Sequence, residues 1–179
     1  EMVPAYESAD LPEALLFAML AQETGGKVHS YSRAGAVGPL QFMPRTARRY
    51  GLRVVDGFDL RLDPAASARA NAAYLDEQFR VLNRDLEKAL AAYNGGEGRL
   101  RRLHRKHADA DFWDPRIYYS LPDETRDYVP GILAAATLFL HPEEYGLELR
   151  SLEAATSTVK LAEAISISKL VVCLGQRGN

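Results

Sequence analysis

The spacing of apolar residues along the chain predicts helices over most of its length. The first clear stripe runs at i, i+3, i+4 and i+7, the spacing of one face of a helix with about 3.6 residues per turn. It consists of Leu16, Met19, Leu20 and Glu23. Pro12 is placed to open this helix, and Gly25-Gly26 is placed to end it. A loop of residues 27–42 should follow.

Capping signals mark the helices further along. Asp63, which Pro64 follows, and Asp85 each stand at an N-cap position. There the side chain accepts a hydrogen bond from a backbone N–H of the first helical turn. The stripes behind them are Ala68, Ala72, Leu75, Phe79 and Leu82, and then Leu86, Ala89, Leu90 and Tyr93. We also expect a short helix from Pro44 to Gly51, a basic helix over 98–107 and a long helix over 123–140. Pro130 should bend this last helix or delay its start.

The pattern changes near residue 151, which predicts two parts. Residues 1–146 should form one all-α domain, and residues 147–179 a separate C-terminal connector. Within the connector, residues 158–161 resemble a strand and residues 165–174 are apolar. The longest apolar run of the domain, residues 132–140, is well short of the roughly 20 residues that span a bilayer.

Composition excludes several classes of protein. A net charge of -2 gives no reason to expect a polyanionic partner, so nucleic acid is not an expected ligand. The single cysteine, Cys173, cannot form an intrachain disulfide. His104 and His107 have no further ligands near them in sequence. We expect neither a metal nor a cofactor.

Glu23 is the candidate for acid chemistry. It ends its helix on the same face as the apolar stripe, so its carboxyl should project into a partly desolvated place. Burial disfavours the charged form and raises the pKa, as a general acid near neutral pH requires. By itself the position is weak evidence, because a Glu at the end of an amphipathic helix usually reaches solvent.

Three sequence blocks change that interpretation. The first begins at Glu23-Thr24, continues with Ser32, and ends in the run Gly35-Ala36, Gly38, Gln41-Phe42-Met43-Pro44 and Thr46-Ala47. It resembles, without a gap, the signature of the family 1 lytic transglycosylases: E-S, then S, then G-A-x-G-L-M-Q-I-M-P-x-T-A. The second block, A-Y-N-x-G, matches residues 92–96, and the third, E-T-R-x-Y-V, matches residues 124–129. The chain departs from this signature in and around the loop after the helix that carries Glu23. Examples are Thr24 in place of Ser and Pro39-Leu40 in place of Leu-Met.

The resemblance implies a lysozyme-like fold that cleaves bacterial peptidoglycan strands, with Glu23 as the catalytic acid. It further implies a set of substrate-binding residues: Ser32, Gly38, Gln41, Phe42, Met43, Tyr93, Asn94, Glu124 and Tyr128. The cleft should lie between the helices of Glu23 and Tyr93. For Tyr93 two interpretations stay open, a hydroxyl that reaches the cleft and a core tyrosine with a satisfied hydroxyl.

The number of carboxylates bears on the reaction. Ordinary glycosidases pair two carboxyl groups, whereas residues 24–46 contain no Asp or Glu. The resemblance implies that Glu23 protonates the glycosidic oxygen and then accepts the proton of the C6 hydroxyl, which yields 1,6-anhydro-N-acetylmuramic acid without water. The alternatives are a muramidase of similar fold that adds water and a silent peptidoglycan-binding scaffold.

The remaining features carry weaker expectations. The basic residues of 99–107 should form a solvated helix face, with contact to acidic stem peptides as the alternative. Trp113 and Tyr118-Tyr119 fit either a sugar-stacking shelf or core packing. The connector resembles the link that follows the catalytic domain in membrane-bound transglycosylases of the D type, where LysM glycan-binding modules come later. This implies a location in the bacterial periplasm or cell envelope, with attachment through parts outside this chain.

Overall fold

The computed structural model describes residues 1–149, and these residues are mainly helical, as the apolar spacing predicts. Eight α-helices are described: α1 (Val3–Glu7), α2 (Glu13–Thr24), α3 (Pro44–Arg49), α4 (Pro64–Val81), α5 (Leu86–Gly95), α6 (Glu97–Lys106), α7 (Pro115–Tyr118) and α8 (Asp123–Leu140). Short 3-10 turns cover Leu60–Leu62 and Pro142–Tyr145. The predicted all-α class is confirmed.

The sheet in the described part of the chain is one short antiparallel hairpin. Its strands are β1 (Val54–Val55) and β2 (Phe58–Asp59), with Val54 opposite Asp59 and Val55 opposite Phe58. The intervening Asp56 and Gly57 both have positive φ, as a tight two-residue turn requires. The sequence analysis predicted no strands here.

The predicted caps hold the helices where expected. The Asp63 carboxylate accepts from the backbone N–H of Ala66, and Asp85 accepts from that of Lys88 at 2.8 Å. Gly25 ends α2 in the left-handed conformation, with φ of 62°. The long helix differs from the prediction in one respect. It begins at Asp123 and continues through Pro130, so the proline does not delay its start.

The core lies where α2, α4, α5 and α8 meet. Its largest fully buried side chains include Leu16 and Met19 of α2, Leu75 of α4, Leu90 of α5 and Ile132 of α8. Helices α2 and α8 pack along each other, and the rings of Phe17 and Phe139 stack with centroids 5.1 Å apart. This packing fixes the C-terminal end of α2, and with it Glu23, against the first half of α8.

Residues 1–148 form one compact unit. The predicted strand over 158–161, the apolar stretch 165–174 and nearly all of the connector lie outside the described residues. The division at residue 146 stays a prediction. No helix within residues 1–149 combines the length and apolar character needed to cross a membrane.

Candidate active site

Glu23 lies at the last turn of α2, in contact with the first half of α8. The hydroxyl of Tyr128, itself only 4% exposed, donates a hydrogen bond to Glu23 Oε1 at 2.7 Å. Burial raises the pKa of the Glu23 carboxyl to about 7; the Tyr128 hydrogen bond opposes the rise, and the nearby charge of Glu124 adds to it. A carboxyl with this pKa holds its proton at neutral pH and can also release it.

A hydrogen-bonded cluster joins the end of α5 to the start of α8. Asn94 Nδ2 donates to the carboxylate of Glu124 at 3.3 Å, and Asn94 Oδ1 accepts from the hydroxyl of Thr125 at 2.8 Å. Gly95 packs on the same threonine so closely that an added Cβ would lie 2.7 Å from its hydroxyl oxygen. The second and third sequence blocks thus meet in space. Thr125 was not among the predicted site residues, although its neighbour Glu124 was.

Ser32 and Gln41 shape the loop that follows α2. The hydroxyl oxygen of Ser32 accepts from the backbone N–H of Ala36 at 2.9 Å. The side-chain amide of Gln41 donates to the carbonyl of Gly38 at 2.8 Å, and Gln41 has a positive φ of 49°. Both side chains therefore brace the loop from within. Their predicted contact with a sugar stays a prediction.

Gly38 is required by the backbone it touches. Its φ is 87°, and an added Cβ would lie 1.8 Å from the carbonyl oxygen of Arg61. The Arg61 guanidinium in turn donates to the carbonyls of Gly35 and Phe42 and pairs with Asp59. Because Gly38 has no side chain, the backbone of Arg61 can approach it closely. Arg61 and Asp59 lie outside the family signature, so the signature did not indicate them.

Tyr93 and Thr24 hold one short segment of the loop from two sides. The hydroxyl of Tyr93 donates to the carbonyl of Leu40, and the hydroxyl of Thr24 donates to the carbonyl of Pro39 at 3.0 Å. The end of α2 and the end of α5 are thus joined through two consecutive residues. The Tyr93 hydroxyl has a protein partner, as in the core interpretation, while its ring borders the cleft described next.

A cleft of about 500 Å³ runs beside this segment. Its lining residues from the predicted site are Gln41, Phe42, Met43, Tyr93 and Asn94. Met43 is 44% exposed, whereas Phe42 is 2% exposed and packs its ring edge-to-face on Tyr93. Ser32, Gly38, Glu124, Tyr128 and Glu23 are not among the lining residues. The walls come from α3 and the start of α6 as well as from α5, whereas the prediction placed the cleft between α2 and α5.

The same cleft contains residues that were not among the predicted site residues. Its further lining residues are Arg45, Thr46, Arg49, Tyr74, Ala92, Gly96, Glu97 and Gly98. Arg45 and Arg49 are separated by four residues on α3 and therefore face the same side of that helix. The signature gave no indication of Arg45, which occupies its unspecified position between Pro44 and Thr46. Arg49 and Glu97 come together only in the fold.

The aromatic residues of the stretch before α8 form their own cluster. Trp113 and Tyr118 stack at 6.1 Å, and the guanidinium of Arg126 lies over the ring of Tyr118 at 5.5 Å and over that of Tyr119 at 5.7 Å. Phe112, fully buried, anchors the cluster to the core. Among residues 1–149, His, Cys, Asp and Glu side chains do not come together in a group of three that could hold a metal ion.

Known proteins similar to this chain in sequence and in fold include several lytic transglycosylases. Membrane-bound lytic murein transglycosylase D of Escherichia coli is 31% identical over 153 residues, which cover 82% of this chain and 33% of the relative. Among solved structures, an inactive variant of the lytic transglycosylase Slt from Pseudomonas aeruginosa has a TM-score of 0.62 and 27% identity, covering 82% of this chain and 24% of that one. The 70 kDa soluble lytic transglycosylase of Escherichia coli has a TM-score of 0.65 and 25% identity, covering 79% and 24%.

These similarities confirm the lysozyme-like fold. They concern only part of each relative, since this chain spans about a third of the length of the murein transglycosylase and about a quarter of each solved structure. A model of the family described as the transglycosylase SLT domain matches residues 4–115, which contain Glu23, the loop after it and the Tyr93-Asn94 pair. The chain belongs to the transglycosylase SLT domain family.

Proposed function

We propose that this protein is a lytic transglycosylase that cleaves the β-1,4 bond between N-acetylmuramic acid and N-acetylglucosamine in peptidoglycan. The observation that carries the proposal is the state of Glu23. Its carboxyl is partly buried, has a pKa of about 7 and receives one hydrogen bond, from Tyr128. A proton held there near neutrality can be delivered to a leaving oxygen.

The proposed reaction uses Glu23 twice. The carboxyl first donates its proton to the glycosidic oxygen, while the acetamido oxygen of the muramic acid assists at the anomeric carbon as the C–O bond breaks. The Glu23 carboxylate then accepts the proton of the C6 hydroxyl, whose oxygen attacks the anomeric carbon. One fragment then ends in 1,6-anhydro-N-acetylmuramic acid, the other begins with the freed C4 hydroxyl of N-acetylglucosamine, and no water is consumed.

Tyr128 supports both halves of this cycle. Its hydroxyl donates to the carboxylate, so it stabilises the charged form that exists between the two proton transfers. Burial acts in the opposite direction and favours the protonated carboxyl that Glu23 regains from the C6 hydroxyl. Residues 24–46 contain no Asp or Glu, and the carboxylate whose charge acts on Glu23, that of Glu124, accepts a hydrogen bond from Asn94. The proposal therefore assigns the nucleophile to the substrate itself.

The test is Glu23→Gln together with product analysis. The amide keeps size and polarity but cannot deliver a proton, so turnover of purified peptidoglycan should fall by about 100-fold or more. Folding is checked by circular dichroism and denaturant unfolding. Above pH 7 the variant should be at least as stable as wild type, because wild type then buries an ionised carboxylate.

The reaction products distinguish a lytic transglycosylase from a muramidase. Mass spectrometry of wild-type digests should give anhydro-muramic ends. Reducing muramic acid in their place would establish a muramidase, and turnover kept above about a tenth of wild type would contradict the role of Glu23.

We further propose that residues 1–146 are the catalytic part and residues 147–179 a connector, in a protein that works in the bacterial cell envelope. The support is positional, since all the proposed site residues lie between Glu23 and Tyr128, inside the unit Glu1–Glu148. Peptidoglycan strands are the proposed partner. The named relatives are membrane-bound and soluble murein transglycosylases, which fits this location.

A further inference from the structure

We infer that Arg45 recognises a carboxylate carried by the glycan strand, and so makes the cleft selective for acidic strands. This inference rests on the proposed function, because it concerns how the strand that Glu23 would cleave is held in the neighbouring cleft, which Glu23 itself does not line. Arg45 lines the cleft of about 500 Å³ together with Met43 and Tyr93. It has no assigned part in the cleavage step.

The charges around the cleft single out Arg45. Arg49 lines the same cleft, but its guanidinium pairs with the carboxylates of Glu77 and Glu97 and lies over the ring of Tyr50. Glu97 is shared in turn with Arg101. Each of these charges is therefore neutralised by protein groups.

Arg45 differs from all of them. Its side chain is exposed. Within residues 1–149 this side chain forms no ion pair and no hydrogen bond. It stands four residues before Arg49 on α3, which turns both toward the cleft. Among the described charged residues that line this cleft, Arg45 is the one whose charge no protein group compensates.

The rest of the lining suits a sugar chain. It combines aromatic and apolar surface, at Tyr93 and Met43, with the amide groups of Gln41 and Asn94. A neutral glycan would give an uncompensated cation nothing to pair with. In peptidoglycan every second sugar carries an acid, either as the lactyl carboxylate of a bare muramic acid or as the carboxylates of its stem peptide. A planar guanidinium binds carboxylates through two parallel hydrogen bonds, and a concave wall strengthens its field.

Arg45→Gln, compared with Arg69→Gln, tests the inference. Arg69 lies exposed on α4, is not among the cleft lining and loses the same charge when replaced. With intact strands, Arg45→Gln should raise KM about three- to tenfold with kcat little changed, and Arg45→Lys should keep part of the effect. The change in KM should shrink at high salt, where the wild-type pair is screened. Arg69→Gln should leave KM unchanged.

Two further substrates identify the carboxylate. In intact strands the lactyl carboxyl is an amide to the stem peptide, and an amidase that strips the peptides frees it as an acid. An effect on stripped strands alone assigns the contact to the lactyl acid, an effect on intact strands alone assigns it to the stem peptide, and an effect on both shows that Arg45 pairs with either carboxylate. Strands whose carboxyl groups have been converted to methyl amides should bind wild type and Arg45→Gln equally. Binding is measured in the Glu23→Gln background, which removes turnover.

Equal KM values for Arg45→Gln and Arg69→Gln on the acidic substrates would overturn the inference. A loss of binding that persists on amidated strands would overturn it as well, since the contact would then not be to a carboxylate. Neither result touches the proposed function, whose failure would show separately as full turnover in Glu23→Gln or as hydrolytic products.

Discussion

At the scale of single residues, the site depends on opposing effects at one carboxyl group. Burial raises the pKa of Glu23, and the hydroxyl of Tyr128 lowers it. The resulting pKa of about 7 lies where a group can serve as acid and then as base. Glu124 contributes in the raising direction from the first turn of α8. Its own carboxylate is held by Asn94.

Tyr128→Phe should move the pH dependence of the reaction. The hydroxyl stabilises the ionised carboxylate, so its removal raises the pKa of Glu23 further. Because the first step needs the protonated acid, activity falls as pH rises through that pKa. The alkaline limb of the kcat/KM profile should therefore shift to higher pH, and kcat should fall. The control is Tyr119→Phe, which removes an exposed hydroxyl. An alkaline limb that stays in place or moves to lower pH would contradict the assignment.

Tyr93→Phe tests the link between α5 and the loop. Its hydroxyl donates to the carbonyl of Leu40, so the substitution leaves a backbone acceptor without its partner. The free energy of unfolding should fall by about 1 kcal/mol, measured by urea denaturation. Turnover should fall too, because the same bond positions the segment beside the cleft. Unchanged stability with reduced activity would indicate that the hydroxyl serves the substrate and not the loop.

At the scale of elements, the sequence predicted what short-range patterns determine. The apolar stripe of α2 and the caps at Asp63 and Asp85 lie where expected, because both depend on residues a few positions apart. Helices α1 and α7 span five and four residues, too short to show a period, and were not predicted. The two strands of the β1–β2 hairpin are likewise too short to show a period, and they were not predicted.

The site divides in the same way. The family resemblance implied that Glu23, Tyr93 and Tyr128 belong to one site. In the structure Tyr128 donates to Glu23, and Tyr93 donates to the carbonyl of Leu40 in the loop after α2. The contact of Gly38 with Arg61 and the ion pairs of Arg49 join elements far apart in sequence. No local pattern records such contacts, so sequence reasoning had no signal for them.

Gly38→Ala should disrupt the loop far more than Gly35→Ala. Both glycines have positive φ, 87° and 93°, so both substitutions carry the strain of a left-handed alanine. Only Gly38 faces backbone atoms, with Arg61 O at 1.8 Å, whereas the position beside Gly35 is open. We expect a loss of about 3 kcal/mol or more for Gly38→Ala, and about 1 kcal/mol for Gly35→Ala. Equal unfolding midpoints in urea would show that the loop can move away from Arg61.

At the scale of the whole molecule, a frame of four core helices positions the proposed catalytic acid, and the cleft lies at the surface of this frame. The buried faces of α2, α4, α5 and α8 set the position of Glu23 and Tyr128. The cleft lies against α4 and α5 of this frame, and α3, its preceding loop and the start of α6 complete its walls. Substitutions in the cleft wall, such as those at Arg45, should therefore change substrate binding with little effect on stability.

The boundary near residue 146 gives the final prediction, that a chain ending at Gly146 folds and cleaves purified peptidoglycan at a rate within a few-fold of the 179-residue chain. The proposed catalytic and substrate-binding residues end at Tyr128, α8 ends at Leu140, and the turn Pro142–Tyr145 closes at Gly146 in the left-handed conformation. Cutting there breaks no helix and removes no residue of the cleft wall. Circular dichroism, thermal unfolding and product analysis of both chains provide the comparison. A lower melting temperature with the rate kept would assign the removed residues to stability alone. A shortened chain that is well folded yet inactive would contradict the boundary, because part of the glycan site would then lie in residues 147–179.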